Sequence, residues 1–450
     1  MHALVHGLAI TGASTVRALR RRGYSVTVTD DAIDDAKRGL AADLGVEVNG
    51  LPEALEVFVA GFELVSPAPG VPELHPLIVS ARAAGVPVMS EIELAYRWEL
   101  ERSGGPRPIL AITGTDGKTS TTELTVAILR AAGVRTEALG NTDVPLVDAL
   151  ESDLDAFVVE CTSFRLAFTE RFRADAAVWL NLAPDHLNWH SSMDTYEAAK
   201  ARIFEQQSAT DVAIGFVDDP TVMRHLERAP GRHRTFGAAG ADYHLSGKML
   251  TGPGGPIVDV GLMRRRLPHD ITNALAASAL VLETGLADAS SIAETLAVFE
   301  APPHRLEPLG AADGVEWFND SKATTPHAAY TAIRSFESLV LIAGGSRKGV
   351  DLSAMATDAH RVRAVVAIGQ AAPDIHAVFD GLTTVVDADS MDRAVAMAAT
   401  LARRGDAVVL SPGCASFDWY SGYPERGEHF RRLVQEHLAS VHPRSDITSR

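Results

Sequence analysis

The run Thr113-Gly114-Thr115-Asp116-Gly117-Lys118-Thr119-Ser120 places two glycines, a lysine and a hydroxyl between an apolar stretch and a helical pattern. Glycines let backbone N–H groups point at phosphate oxygens, and a helix N-terminus adds positive potential. Lys118 can reach outer phosphates, and the Thr119 hydroxyl can take a magnesium position. The spacing Gly114-x-x-Gly117-Lys118-Thr119 is a shortened phosphate loop, and it predicts binding of a nucleoside triphosphate.

Other polar residues follow apolar runs. Glu160 ends the run 156–160, and Asp185-His186 follow the run 176–182. Each set is either a polar strand cap or, with Thr119 and phosphates, the ligands of a hard metal. Lys200 lies in an amphipathic helical pattern, where sequence alone reads it as a solvated lysine. Gly7-x-Ala9-x-x-Gly12, with Asp30 ending the next apolar run, reads as a structural turn or as a nucleotide site without the full dinucleotide fingerprint. Toward the C-terminus, His304-Arg305, Asp320-Ser321-Lys322-Ala323-Thr324, the glycine-rich 344–349 and the run 411–416 put polar groups at strand ends. In open α/β sheets such ends converge on a ligand cleft, and Lys322 and Lys348 would draw a carboxylate to it.

The elements that must position these groups alternate short apolar runs with helical patterns, which predicts α/β architecture. Linker composition at 102–108 and prolines near 302–303 divide the chain into 1–103, 104–301 and 302–450. The expected folds are a Rossmann-like N-terminal domain, a P-loop-type ATPase and a Rossmann-like C-terminal domain. The 450 residues carry 46% hydrophobic and 22% charged side chains, enough for several cores. A net charge of 41 − 58 = −17 argues against a general nucleic-acid binder. Cys161 and Cys414 make neither a disulfide framework nor a zinc site, and a cytoplasmic location is expected. No apolar run reaches the ~18 residues that a membrane span needs.

Taken in order, these motifs resemble the Mur ligase family from Gly7 to about Phe430. The phosphate loop is joined by Asn181-Leu182-x-x-Asp185-His186-Leu187, Ala198-Ala199-Lys200-x-Arg202, His269-x-x-x-Asn273-Ala274-Leu275-Ala276-Ala277, His304-Arg305 and Asn319-Asp320-Ser321-Lys322-Ala323-Thr324. Ala343-Gly344-Gly345-x-x-Lys348-Gly349 and Leu410-Ser411-Pro412-x-Cys414-Ala415-Ser416-Phe417-Asp418 favour the glutamate-adding branch. The resemblance implies an ATP-driven amide ligase that joins D-glutamate to UDP-N-acetylmuramoyl-L-alanine through an acyl phosphate. It implies Lys118, Lys200, His186 and Arg305 as catalytic groups. Gly114, Thr115, Asp116, Gly117, Lys118, Thr119, Ser120, Asn273, Arg305 and Asp320 would contact ATP. Magnesium would fall to Thr119, Glu160, His186 and a carbamylated Lys200. Thr11, Gly12, Asp30 and Asn141 would contact the UDP substrate, and Thr324, Lys348, Ser416 and Tyr423 the incoming amino acid.

Several positions depart from the family pattern. Asp116 and Asp270 stand where Asn is usual, Gly140-Asn141-Thr142-Asp143 replaces Gly-Asn-Ile-Gly, and Glu160-Cys161-Thr162-Ser163-Phe164-Arg165 replaces Glu-Leu-Ser-Ser-Phe-Gln. Asp30-Asp31-Ala32 lacks a following arginine. The alternatives are a paralogue with another amino acid, such as L-glutamate, or another nucleotide substrate; a folylpolyglutamate-type ligase; a NAD-dependent oxidoreductase; and a non-catalytic scaffold derived from a ligase.

Overall fold

Continuous apolar runs become buried parallel strands, because helices cover both faces of such sheets. The computed structural model describes residues 1–187, 189–300, 303–347 and 351–441, and among them are three sheets. The first comprises β1 (His2–His6), β2 (Ser25–Thr29), β3 (Val48–Asn49) and β4 (Leu64–Pro67). Its order is β3-β2-β1-β4, parallel throughout, so the strand order reverses beside β1.

The second sheet holds β5 (Ile109–Thr113), β6 (Ala138–Gly140), β7 (Phe157–Glu160), β8 (Ala176–Trp179), β9 (Val212–Phe216), β10 (Arg232–Gly237), β11 (Tyr243–Ser246), β12 (Met249–Gly252) and β13 (Gly255–Asp259). Its order is β13-β12-β11-β10-β9-β8-β5-β7-β6, parallel from β6 to β11, with β12 and β13 an antiparallel hairpin at one edge. All five residues of β5 are buried. Pro253 and Gly254 make the two-residue turn of that hairpin.

Residues 1–266 and 270–299 form one compact unit that contains both sheets. One apolar core runs from Val5 and Val16 of the first sheet layer to Phe157 and Trp179 of the second. Each such buried side chain contributes about 1.5–3 kcal/mol. The stretch 102–108, which has linker composition, is pinned between them. Arg107 is buried, pairs with both oxygens of Glu99 at 2.8–2.9 Å, and donates to the carbonyls of Leu150 and Ser152 at 2.7 Å.

Residues 267–269 and 300–450 belong to a second unit. Its sheet comprises β14 (Glu307–Ala312), β15 (Val315–Asn319), β16 (Leu339–Gly344), β17 (Val362–Ile368), β18 (Thr384–Ala388) and β19 (Ala407–Leu410). The order is β14-β15-β19-β16-β17-β18, parallel except for the β14–β15 hairpin. Among the described residues no helix is long and apolar enough to cross a membrane.

Candidate active site

β5 delivers the phosphate loop. After Thr113 the chain turns at Gly114, and the helix Lys118–Ala131 starts from Gly117, whose φ of 82° is left-handed. A Cβ at Gly117 would also press on Asn273 Oδ1 at 2.9 Å and Leu180 Cδ1 at 3.2 Å, so glycine is needed twice over. Asn181, beyond the end of β8, clamps the loop. Its Oδ1 accepts from the N–H groups of Thr115 and Asp116 at 2.9 Å, and its Nδ2 donates to the Asp116 carbonyl. Asp116 thus joins this clamp through its backbone, whichever side chain it carries. Lys118 Nζ donates to the carbonyls of Gly114 at 2.9 Å and Thr115 at 2.7 Å, bonds that a phosphate would replace. Thr119 and Ser120 lie in the first turn of the helix. Asn273, from the helix Pro268–Thr284, accepts from Thr121 Oγ1 at 3.3 Å, which ties it to the phosphate-loop helix.

β7 and β8 flank β5 in parallel, so their carboxyl ends open beside the loop. Glu160, the last residue of β7, is 1% exposed. Its Oε1 accepts from Asn141 Nδ2 at 2.8 Å, whereas Oε2 is buried with no hydrogen-bond partner. A buried carboxylate oxygen left bare is costly unless a cation meets it. This residue therefore fits a metal. His186, after β8, has a left-handed φ of 55°, sits 3.2 Å from an Asp185 oxygen and packs against the Phe164 ring. Burial lowers its pKa, against Asp185, with help from the positive Lys118 and Lys200. A neutral imidazole is the form that binds metals.

Lys200 is 1% exposed, not solvated. Its helix, Met193–Glu205, begins with a Ser192–Thr195 capping box and buries Tyr196, Ala199, Lys200 and Ile203 along one stripe. The amine donates to the Gly114 carbonyl at 2.6 Å and lies 4.7 Å from the Tyr196 ring centre. Burial, reinforced by Lys118, pulls its pKa well below the usual lysine value, although Asp185, Asp116 and Glu160 oppose this. The neutral amine so favoured is what carbamylation requires.

The first sheet reaches this region through Arg165. Its guanidinium is buried and bonds Glu91 Oε1 at 3.1 Å, Asn141 Oδ1 at 2.8 Å and Thr11 Oγ1 at 3.2 Å. Thr11, Arg165, Asn141 and Glu160 thus form one chain of contacts. Gly12 lies inside the first turn of the helix Ile10–Arg21, where a Cβ would collide with the Gly7 carbonyl, so packing accounts for it. Asp30 is engaged locally by the N–H groups of Leu8 (2.7 Å) and Ala32 (2.9 Å) and by Lys37 Nζ (2.6 Å). Burial would raise its pKa, but Lys37 and these donors outweigh it and hold the carboxyl low. Nearby, His190 bridges Ser163 Oγ at 2.9 Å and Glu73 Oε2 at 3.1 Å. Asn181, Arg165 and His190 were not among the expected site residues, though Asn181 stands in the same motif as His186.

In the second unit, Asp320 follows β15 and is 7% exposed. Burial pushes its pKa up to about 7, against the Ser411 hydroxyl at 2.7 Å and the Leu306 N–H at 3.1 Å. Arg305 is near enough to lower that value and lies between two left-handed residues, His304 and Leu306. Arg426, which the sequence did not single out, is a structural clamp. It donates to Ser321 Oγ and O and to the carbonyls of Cys414 and Ala415, so it fixes the 320–324 and 411–416 turns together. Ser416 is buried there, Thr324 is half-buried, and Tyr423 opens the helix Tyr423–Val441 with Lys322 Nζ 5.3 Å from its ring centre. Lys348 lies outside the described residues.

Three family models match successive stretches of the chain. The Mur ligase MurD-like N-terminal domain matches residues 1–90, the Mur ligase middle domain 112–281, and the Mur ligase glutamate ligase domain 304–414. The chain is 42% identical to the UDP-N-acetylmuramoylalanine–D-glutamate ligase of Frankia casuarinae, over 96% of this chain and 93% of the relative. It is 38% identical to the ligase of the same name from Myxococcus xanthus, over 96% and 97%. Among solved structures, the fold is shared with MurF ligase from Thermotoga maritima in complex with ADP, at a TM-score of 0.60 and 15% identity over 97% and 95%. It is shared equally with a pseudomurein peptide ligase type C from Methanothermus fervidus, at a TM-score of 0.60 and 16% identity over 97% and 99%. Three matching domain models in series, together with relatives of this identity along nearly the whole chain, place the protein in the Mur ligase family.

Proposed function

We infer that the chain is an ATP-dependent ligase that joins D-glutamate to UDP-N-acetylmuramoylalanine in the synthesis of peptidoglycan precursors. The observation that carries this reading is that relatives of that name match about 96% of the chain at up to 42% identity. The phosphate loop, with the buried Lys200 and the bare buried oxygen of Glu160 beside it, supports the chemistry.

In this reading ATP phosphorylates the alanyl carboxylate and leaves as ADP. The amine of glutamate attacks the acyl phosphate, loses a proton, and phosphate departs. Phosphoryl transfer needs positioning and charge compensation above all. Lys118 exchanges its carbonyl partners for phosphate oxygens, Asn181 holds the loop's N–H groups in place, and Asn273, Arg305 and Asp320 contact the nucleotide. Thr119, Glu160, His186 and a carbamate on Lys200 would hold magnesium, which supplies positive charge beside the phosphates. Carbamylation turns a buried amine, poorly placed as a cation, into an anion. Thr11, Asn141 and Arg165 attend the UDP substrate. Thr324, Lys348, Ser416 and Tyr423 attend glutamate, whose two carboxylates cannot be buried without charge-assisted donors.

The test is phosphate release from ATP with UDP-N-acetylmuramoyl-L-alanine and, side by side, D-glutamate, L-glutamate, D-glutamine and L-alanine. D-glutamate should support turnover and the neutral amino acids should not. Preference for a neutral amino acid would overturn the glutamate assignment, and preference for L-glutamate the stereochemical one.

A further inference from the structure

At the carboxyl end of the first sheet, two imidazoles converge on one carboxylate. His6 ends β1, Asp31 follows β2 by two residues, and His75 precedes the helix Pro76–Ala83. His6 Nε2 is 3.5 Å and His75 Nε2 3.1 Å from the same atom, Asp31 Oδ2, and the three ligand atoms all lie within 4.8 Å of one another. Tetrahedral zinc with bonds of about 2.0–2.1 Å has ligand–ligand edges of about 3.3 Å, so two of the three edges are already near their required length. The remaining ring nitrogen of His6, Nδ1, is 2.9 Å from Thr29 Oγ1. This is the kind of outer partner that fixes the tautomer and orientation of a metal-bound histidine. Asp30, the neighbouring carboxylate, is already taken up by Lys37 and backbone N–H groups and does not compete. Asp31 is 59% exposed on its side chain, which leaves an entry path and a solvent-facing fourth position.

We propose that His6, Asp31 and His75 form a binding site for a tetrahedral divalent transition metal, zinc by its donor set, separate from the magnesium ligands proposed above. One local bond must change when it fills. His75 Nδ1 accepts from the Leu77 N–H at 3.3 Å, and a metal on Nε2 requires the proton on Nδ1. That cap bond is long, and the helix it begins has proline at its first position, where no N–H needs a partner.

The experiment titrates the full chain with Co2+, a spectroscopic stand-in for zinc, in excess magnesium so that hard-metal sites are filled. One equivalent should give the intense visible bands of tetrahedral cobalt, and Zn2+ should abolish them. Asp31→Asn, at an exposed position, and His75→Gln, at a half-buried one, should lose the bands, and the first should leave the melting temperature unchanged. Thr29→Val, which removes only the outer partner, should weaken Co2+ binding about 10–100-fold. Weak octahedral bands, or tetrahedral bands that survive both substitutions, would overturn the assignment. So would variants that leave metal binding unchanged but weaken binding of UDP, which would make the histidines contacts of the nucleotide.

Discussion

Lys200 and Lys118 donate to the same oxygen. Their Nζ atoms lie 2.6 Å and 2.9 Å from the Gly114 carbonyl, one reaching it from a helix of the second sheet layer and the other from the loop itself. Two ammonium groups on one buried acceptor repel, and the more buried of them, Lys200, gives up its charge more readily.

The neutral amine of Lys200 should react with dissolved carbon dioxide. Protein grown or incubated with 13C-bicarbonate should show a carbamate carbon signal that is missing from Lys200→Ala. That variant should lose activity by roughly 100-fold, the upper end of the cost of losing a metal's supporting group. Short carboxylic acids should restore part of it. Full activity in Lys200→Ala would return the residue to a packing role.

Glu160 and Asn141 should separate by the magnesium they demand. Glu160→Ala should be inactive with unchanged melting, because it removes the bare oxygen itself. Asn141→Ala leaves the carboxylate in place but unoriented, and should raise the magnesium requirement about 10-fold. Turnover by Glu160→Ala at ordinary magnesium concentrations would exclude it as a ligand.

The Arg165–Glu91 pair is buried on both sides, at 4% and 1% side-chain exposure. Arg165→Gln strands Glu91, whose carboxyl burial already pushes toward the protonated form despite the arginine. The loss should be about 3 kcal/mol by urea unfolding, in the range for breaking a buried pair from one side. Adding Glu91→Gln should recover most of it. If the double variant is no more stable than Arg165→Gln, the strength lies in the arginine's bonds to Asn141 and Thr11.

Asp320 makes stability depend on pH. Its folded pKa of about 7 stands above the ordinary aspartate value of about 3.9, so the folded chain keeps a proton there that the unfolded chain releases. The stabilisation is complete below about pH 4 and is lost as pH rises through 7. In nucleotide-free protein, Asp320→Asn should therefore flatten the pH profile of unfolding and exceed the natural protein in stability at alkaline pH. An unchanged profile would mean that the carboxyl ionises normally in the fold. If Asp320 contacts ATP as proposed, the same variant should also weaken ATP binding, a readout distinct from its effect on folding.

The sheet centres were legible because full burial writes continuous apolar runs. β5, β17 and β19 are runs of Val, Ile, Leu and Ala broken only by Thr113 and Arg363, and they lie between polar turns. Strands with polar residues were not. β10, paired with β9 on one side and β11 on the other, opens with Arg232-His233-Arg234-Thr235, exposed to half-buried, so no hydrophobic period marks it. The stretch 102–108 looked like a spacer because its glycines and prolines hide one arginine that is fully satisfied by distant partners. Lys200 misled for a related reason. Tyr196, Ala199, Ile203 and Phe204 place it on the apolar stripe of its helix, but a lysine is ordinarily assigned to the wet face. Asn181 clamps a loop 65 residues back along the chain, and the Arg165 guanidinium bonds residues 24 to 154 away, which local spacing cannot register.

The helix Glu91–Glu99 carries three almost fully buried carboxylates; Glu99 pairs with Arg107 close by in the chain, whereas Glu91 and Glu93 draw on partners much further along. Arg165 lies 74 residues beyond Glu91, and Glu93 accepts from the N–H groups of Glu170, Arg171 and Phe172, up to 79 residues on. A ribosome adding about 5–20 residues per second needs roughly 4–15 s to deliver them. Until then Glu91 lacks its arginine, and Glu93 has only Arg97, one turn on in the same helix. The bonds that seat this helix against the segment between β7 and β8 therefore become available only once residues 165–172 have been made.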